Sequence, residues 1–333
     1  MSGSMGEAGG RRLASDVRVL GEEGSVALPD VDLTVDLGGL KLANPVLTAS
    51  GTFASGAEID RFYDVSELGA VIVKSITLEP REGLPTPRMA ETPAGMLNAI
   101  GLQNPGVDRW LASDLPWLRK RGVTTVVSIA GKTVDEYRQV ARKVAGAPGI
   151  AAVEVNISCP NVEDRNIVFA CRAEPAAAVI AAVSREVDVP IFAKLTPDVT
   201  DITEIARSVT AAGATGLSLI NTLLGMAIDV GKRRPKLANY VGGLSGPATR
   251  PIAVRAIWQV RQALPRSPII GMGGVVTAED AIELMLAGAD AVAVGTANFA
   301  DPFAARDVLH GIARWCAANG FATVRDVVGA MEG

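Results

Sequence analysis

Eight short apolar runs rich in Val, Ile and Ala punctuate this chain, and their spacing constrains its fold more than any other feature. They fall at 46–49, 70–74, 124–129, 152–156, 191–195, 216–220, 268–271 and 291–294. Between them lie segments with helical periodicity, clearest at 133–146, 175–187, 202–212, 250–264, 278–287 and 302–319. Short, nearly continuous apolar runs suit parallel strands buried on both faces. Eight strand–helix units predict an α/β fold, a (β/α)8 TIM barrel, with a doubly wound sheet as the other arrangement. Three segments echo one another, built on Gly69-Ala70, Gly213-Ala214 and Gly288-Ala289. Each reads as a helix closed by glycine, followed by a strand. Ahead of the barrel, 33–37 alternates, Gly38-Gly39 turns, and Leu40-Lys41-Leu42 follows, which predicts a short N-terminal hairpin. Residues 1–30 show no sustained period and read as a flexible tail, leaving 31–333 as one domain.

Bulk properties exclude several function classes. The formal net charge is −4 with no long Lys/Arg run, which argues against nucleic acid. No uncharged apolar stretch reaches the ~18 residues a membrane span needs. The N-terminus lacks the charged-then-apolar pattern of a secretory signal. Three scattered cysteines, Cys159, Cys171 and Cys316, do not make a disulfide framework, and a reducing cytoplasm is the expected compartment. His310 is the single histidine, so His-based metal sites and Ser-His-Asp catalysis lack support. Acid–base chemistry falls to Cys, Lys, Asp, Glu, Tyr or a cofactor.

In a barrel of this kind the active site lies at the C-terminal strand ends. Those ends carry Ser50, Lys74-Ser75, Asn156, Lys194, Asn221-Thr222, Gly273-Gly274 and Gly295-Thr296. Glycines after the last two strands let backbone N–H groups approach a phosphate, and Thr296 adds a hydroxyl. A tight turn is the plainer reading of Gly273-Gly274 taken alone. Lys74 and Lys194 suit an anionic ligand or cofactor, although a single strand-end lysine commonly just snorkels outward. Asn98, Asn156, Asn161 and Asn221 offer both donors and acceptors, which suits a ring with alternating N–H and C=O groups. The sharpest feature is Asn156-Ile157-Ser158-Cys159-Pro160-Asn161. Cys171 and Cys316 read as ordinary small hydrophobes, whereas Cys159 has polar neighbours just past a strand end.

That segment, with Lys74-Ser75 upstream, resembles the class 1 dihydroorotate dehydrogenases. The segments from Asn98 to Gly106 and from Gly242 to Pro247 resemble the B-type subgroup. The resemblance covers about 32–320 and rests on five segments that agree in order and spacing. It implies an FMN-binding barrel that oxidises dihydroorotate to orotate in pyrimidine biosynthesis. Cys159 would be the base that removes the C5 proton while the C6 hydride passes to FMN. Substrate would be lined by Lys74, Asn98, Ala99, Ile100, Gly101, Leu102, Asn156, Asn161, Asn221 and Thr222. FMN would be held by Ser50, Lys74, Ser75, Asn156, Lys194, Ile220, Gly246, Gly273, Gly274, Gly295 and Thr296. Ser128 joins that set where the family often has Asn, and its shorter side chain implies a weakened or rearranged flavin contact. The stretch 162–169 also departs from the Gly-Gly common in the family's active-site lid.

B-type members usually pair with a second subunit that carries FAD and an iron–sulfur cluster and passes electrons to NAD; without it, fumarate, a quinone or another oxidant would be the acceptor, and a homodimer is expected with a larger assembly left open. Three dispersed cysteines cannot hold such a cluster here. Three other readings compete. A dihydropyrimidine dehydrogenase-like flavoenzyme shares a Ser-Cys-Pro segment but tends to carry His at the place of Asn161. A phosphate-binding barrel lyase or isomerase would use the glycine loops for substrate phosphate. A non-catalytic binding subunit would use them for ligand capture alone.

Overall fold

The computed structural model describes residues 29–158 and 169–332. Almost all of the expected tail, Cys159, Asn161 and most of the unusual stretch 162–169 lie outside them. Eight parallel strands close into a barrel: Val46–Thr48, Ala70–Ile72, Thr125–Ile129, Ile150–Asn156, Ile191–Leu195, Gly216–Leu219, Ile269–Met272 and Ala291–Val294. They pair in chain order, and the eighth returns to the first through Val292↔Val46. The third, fifth, sixth, seventh and eighth strands are buried at every position. Apolar runs without alternation therefore became strands covered on both sides, as parallel pairing requires.

Eight helices surround the barrel among the described residues: α1 (Val107–Lys120), α2 (Val134–Val144), α3 (Ala173–Ser184), α4 (Ile202–Ala211), α5 (Arg250–Ala263), α6 (Ala278–Leu286), α7 (Ala297–Ala300) and α8 (Ala304–Ala318). Polar caps set several starts. The Thr133 side chain accepts from the Glu136 backbone N–H, Asp201 accepts from that of Thr203, and Thr277 with Asp280 forms a capping box. The sequence reading did not anticipate α1. Pro116 sits inside it, yet Val107, Trp110, Leu115 and Leu118 still bury one face.

Of the three glycine echoes, two behave as expected. Gly213 and Gly288 adopt positive φ after α4 and α6. Gly69 is different: a 3-10 turn, Val65–Glu67, precedes it, and its φ is not positive. A Cβ there would fall 2.1 Å from the Asn44 carbonyl oxygen, so close backbone approach demands glycine.

The N-terminal hairpin pairs Val35–Leu37 with Leu40–Leu42. Its Leu37, Leu40 and Leu42 are buried. Gly38 abuts Thr215 and Pro268, just before the sixth and seventh strands. The hairpin thus closes the end of the barrel opposite the strand C-termini.

Two excursions from the barrel were not legible as strands. Met89–Thr92, Gly95–Asn98, Val241–Ser245 and Leu223–Met226 form a four-stranded antiparallel sheet, in which Gly95–Asn98 pairs with Val241–Ser245. A separate two-residue pairing joins Ile228–Asp229 to Arg234–Pro235. This sheet brings segments distant in sequence to the rim that carries the strand ends.

Candidate active site

The strand C-termini and the excursion sheet enclose a cavity of about 750 Å³. That volume falls within the range of small-molecule sites. Its wall includes Ser50 from the first strand end, Lys74 and Ser75 from the second, Asn156 from the fourth and Lys194 from the fifth. Ile220, Asn221 and Thr222 come from the sixth, Gly273 and Gly274 from the seventh, and Gly295 and Thr296 from the eighth. The sheet and its connections add Asn98, Ile100, Gly101, Leu102 and Gly246. Seventeen of the candidates named from sequence thus converge on one cavity. Ala99 and Ser128 do not line it. Ala99 packs with Leu97 and Leu237 under the excursion sheet, and Ser128 lies fully buried in the third strand.

Asn156 is the hub of the polar wall. Its Nδ2 donates to Ser75 Oγ at 3.0 Å, and its Oδ1 accepts from Asn221 Nδ2 at 3.2 Å. Tyr137 OH, from α2, donates to its carbonyl oxygen at 2.7 Å. Asn221 Nδ2 also donates to Ser158 Oγ at 2.8 Å, and Asn221 Oδ1 accepts from the Thr222 backbone N–H at 2.7 Å. The amide orientations are therefore tied from both ends, which leaves a preset pattern of donors and acceptors.

Below Asn156 the hydrogen bonds run in one direction. Ser75 Oγ lies 2.9 Å from Ser128 Oγ, and Ser128 Oγ donates to Glu154 Oε1 at 3.0 Å. Each hydroxyl has one proton. Ser128 spends its proton on Glu154, so Ser75 is the donor to Ser128. Ser75 then meets Asn156, and the cavity, with lone pairs. Glu154 is 0% exposed and forms an ion pair with Lys194, Nζ to Oε1 3.5 Å. Lys194 also donates to Ser50 Oγ at 3.0 Å, tying the fifth strand end to the first.

Sequence reasoning missed Glu154. The signal was a lone carboxylate inside an otherwise apolar strand, Ala151-Ala152-Val153-Glu154-Val155. It also missed Ser245, whose Oγ accepts from Thr296 Oγ1 at 2.7 Å and lines the cavity.

The glycine loops leave no room for side chains. Gly273 and Gly274 both adopt positive φ, 124° and 78°. A Cβ on Gly274 would lie 2.7 Å from Arg250 Cβ, and one on Gly246 would lie 2.6 Å from Gly95 Cα. Arg250 is itself held by an ion pair to Asp280 and by Glu283 at 2.8 Å, all on α5 and α6.

The two described cysteines are poor candidates for a base. Burial, then the nearby Asp198 carboxylate, push the Cys171 thiol above its ordinary range. Burial alone does the same for Cys316 in α8. Both thiols stay protonated at neutral pH. Burial pushes the His310 imidazole below its ordinary value, so it is neutral there, and it is not part of the cavity wall. Among the described residues no group of three or more His, Cys, Asp or Glu is placed to hold a metal ion.

Comparison with known proteins gives a consistent result. Residues 32–315 match the family model for dihydroorotate dehydrogenase. A protein of Desulforamulus reducens named dihydroorotate dehydrogenase B (NAD(+)), catalytic subunit, is 52% identical over 302 residues, 91% of this chain and 99% of that one. Proteins of the same name from Geotalea daltonii and Desulforudis audaxviator are 51% and 53% identical, each covering 98% of the relative.

Proposed function

The chain belongs to the dihydroorotate dehydrogenase family, and from that premise we propose how its cavity works: as the B-type catalytic site that oxidises (S)-dihydroorotate to orotate in pyrimidine biosynthesis, with FMN as the bound flavin. The observation that carries this reading is the convergence of two lysines, three asparagines and the Gly273-Gly274 loop on one cavity. Neither the lyase or isomerase reading nor the dihydropyrimidine dehydrogenase-like one is favoured by the relatives.

The residues present fit FMN. Glycines at positive φ on the cavity wall expose bare backbone, which suits a phosphate, and Gly273, Gly274, Gly295 and Thr296 would take that group. Ser50, Lys74, Ser75, Asn156, Lys194, Ile220 and Gly246 would hold the ring system, with Ser128 acting from behind Ser75. When bound, FMN supplies the two-electron acceptor for the reaction.

The chain's own groups do the rest. Asn98, Asn156, Asn161 and Asn221 would match the alternating N–H and C=O groups of the dihydropyrimidine ring, with Ile100, Gly101, Leu102 and Thr222 around it and Ala99 packed behind them. Lys74 would offset the substrate carboxylate. Cys159, as thiolate, would take the proton from C5. Lys194 would stabilise negative charge developing on the cofactor side.

The relatives' names pair NAD(+) with a catalytic subunit. We read this chain likewise as one part of an assembly whose other subunit carries FAD and an iron–sulfur cluster. A homodimer is supported by exposed apolar side chains on and beside the excursion sheet, Leu224, Met226, Ile228 and Tyr240. No helix among the described residues is long and apolar enough to cross a membrane.

The test is spectroscopic. The purified chain is expected to be yellow, absorbing near ~450 nm as bound flavins do. Anaerobic dihydroorotate is expected to bleach it, and dihydrouracil is not. A colourless protein that FMN cannot reconstitute refutes the flavin site, and bleaching by dihydrouracil alone moves the substrate to the other flavoenzyme class.

A further inference from the structure

The charged pair under the cavity has a feature that simple packing does not require. Glu154 is 0% exposed and Lys194 is 4% exposed, so both charges sit in the barrel interior. Buried ion pairs are weak contributors to stability, because desolvation offsets their attraction. The carboxylate is also under-satisfied. Its Oε1 accepts from Ser128 and faces Lys194, while its Oε2 has no hydrogen-bond partner among the described residues. Its negative charge faces the Lys194 ammonium. That ammonium in turn reaches the cavity wall and donates to Ser50.

We propose that Glu154 is a positioning residue that acts through Lys194: it holds the ammonium at the cavity floor and partly neutralises it, thereby setting the reduction potential of the flavin bound above. The inference rests on the FMN reading. A lone ammonium in a low-dielectric floor favours the reduced flavin, which carries more negative charge than the oxidised form. A carboxylate 3.5 Å behind the ammonium opposes that preference. Ser128 fixes the carboxylate from the other side, so its distance to Lys194 is built into the third, fourth and fifth strands. Register supports this placement, with Ser128 opposite Glu154 and Asn156 opposite Lys194.

The experiment is an anaerobic potentiometric titration of FMN on the full chain, as wild type and as Glu154→Gln. The amide keeps the shape and removes the charge. The expected result is a flavin that stays bound and whose reduction equilibrium shifts at least ~10-fold toward the reduced form, a rise of about 30 mV for a two-electron couple. In a Lys194→Gln background the same substitution is expected to move the potential less than half as far. An unchanged or lower potential in Glu154→Gln overturns the inference, as does an equal rise in both backgrounds. Should Glu154→Gln fail to fold, Glu154→Asp withdraws the carboxylate by one methylene; a smaller rise supports the inference and an unchanged potential overturns it. A wild-type chain that cannot be loaded with FMN overturns the flavin reading, and this inference with it. A loaded wild type with an unresponsive Glu154 variant overturns the inference alone.

Discussion

Single side chains divide the chemistry between proton and electron. The only described cysteine thiols are held protonated by burial, and the only imidazole is outside the cavity wall. The proposed base is Cys159, which lies outside the described residues. An unperturbed thiol titrates near about 8.5, so a small fraction is thiolate at neutral pH. The expected consequence is a rate of flavin reduction that climbs with pH and levels off once the thiol has ionised. Cys159→Ser, whose hydroxyl does not ionise in that range, is expected to slow reduction about 10²–10⁴-fold at pH 7, the usual contribution of a positioned acid or base. Stopped-flow absorbance on the FMN-loaded variant measures this directly. Near wild-type reduction by dihydroorotate would remove Cys159 from the base role, while loss of colour on purification would point to a cofactor contact instead.

At the scale of elements, the site depends on where the excursion sheet meets the barrel. Gly243 lies in the strand Val241–Ser245 and stands directly over Thr222, at the sixth strand end. A Cβ there would fall 2.0 Å from Thr222 Oγ1. Asn98 Nδ2 also reaches the Gly243 carbonyl, at 3.3 Å. Gly243→Ala must therefore push Thr222 or shift the sheet, and either moves two groups on the substrate side of the cavity. Misplacement by about 1 Å can cost ~100-fold in rate. The expected outcome is a KM for dihydroorotate raised at least ~10-fold with FMN still bound, read from steady-state kinetics beside the flavin absorbance. An unchanged KM would show that this crossing does not position substrate. The same junction marks the limit of what the sequence disclosed. The barrel was legible because strands such as Ala291–Val294 are apolar at every residue and buried at every residue. The excursion strands are not: Met89–Thr92 alternates exposed with half-buried positions, and Gly95–Asn98 opens with glycine. Their pairing spans about 145 residues of sequence, and no local pattern encodes so distant a partner. Helix α1 hid behind Pro116, though its apolar spacing was present. Glu154 was hidden by its surroundings, since one carboxylate in an apolar strand reads locally as an exception and becomes meaningful only when Lys194 and Ser128 are placed beside it.

The whole molecule separates its two ends by task. The hairpin with buried Leu37, Leu40 and Leu42 closes one end of the barrel, and the cavity opens at the other. Electrons taken from substrate must be passed on to a further acceptor. Nothing among the described residues is placed to carry them onward through a metal cluster, and the chain has three cysteines where an iron–sulfur centre needs four ligands. The half-reactions are thus expected to separate experimentally. The isolated chain, loaded with FMN, should be reduced by dihydroorotate in a single turnover under anaerobic conditions. It should show no sustained NAD(+) reduction until a subunit carrying FAD and an iron–sulfur cluster is added, after which NADH should accumulate in proportion to orotate. The measurement is paired absorbance at about 340 nm for NADH and about 450 nm for the flavin, with and without that subunit. Sustained NADH formation by the isolated chain would show that the barrel passes electrons to NAD(+) directly, and would remove the need for the second subunit. Turnover with fumarate or a quinone, but with no gain from the subunit, would instead set this chain apart from the relatives whose names specify NAD(+).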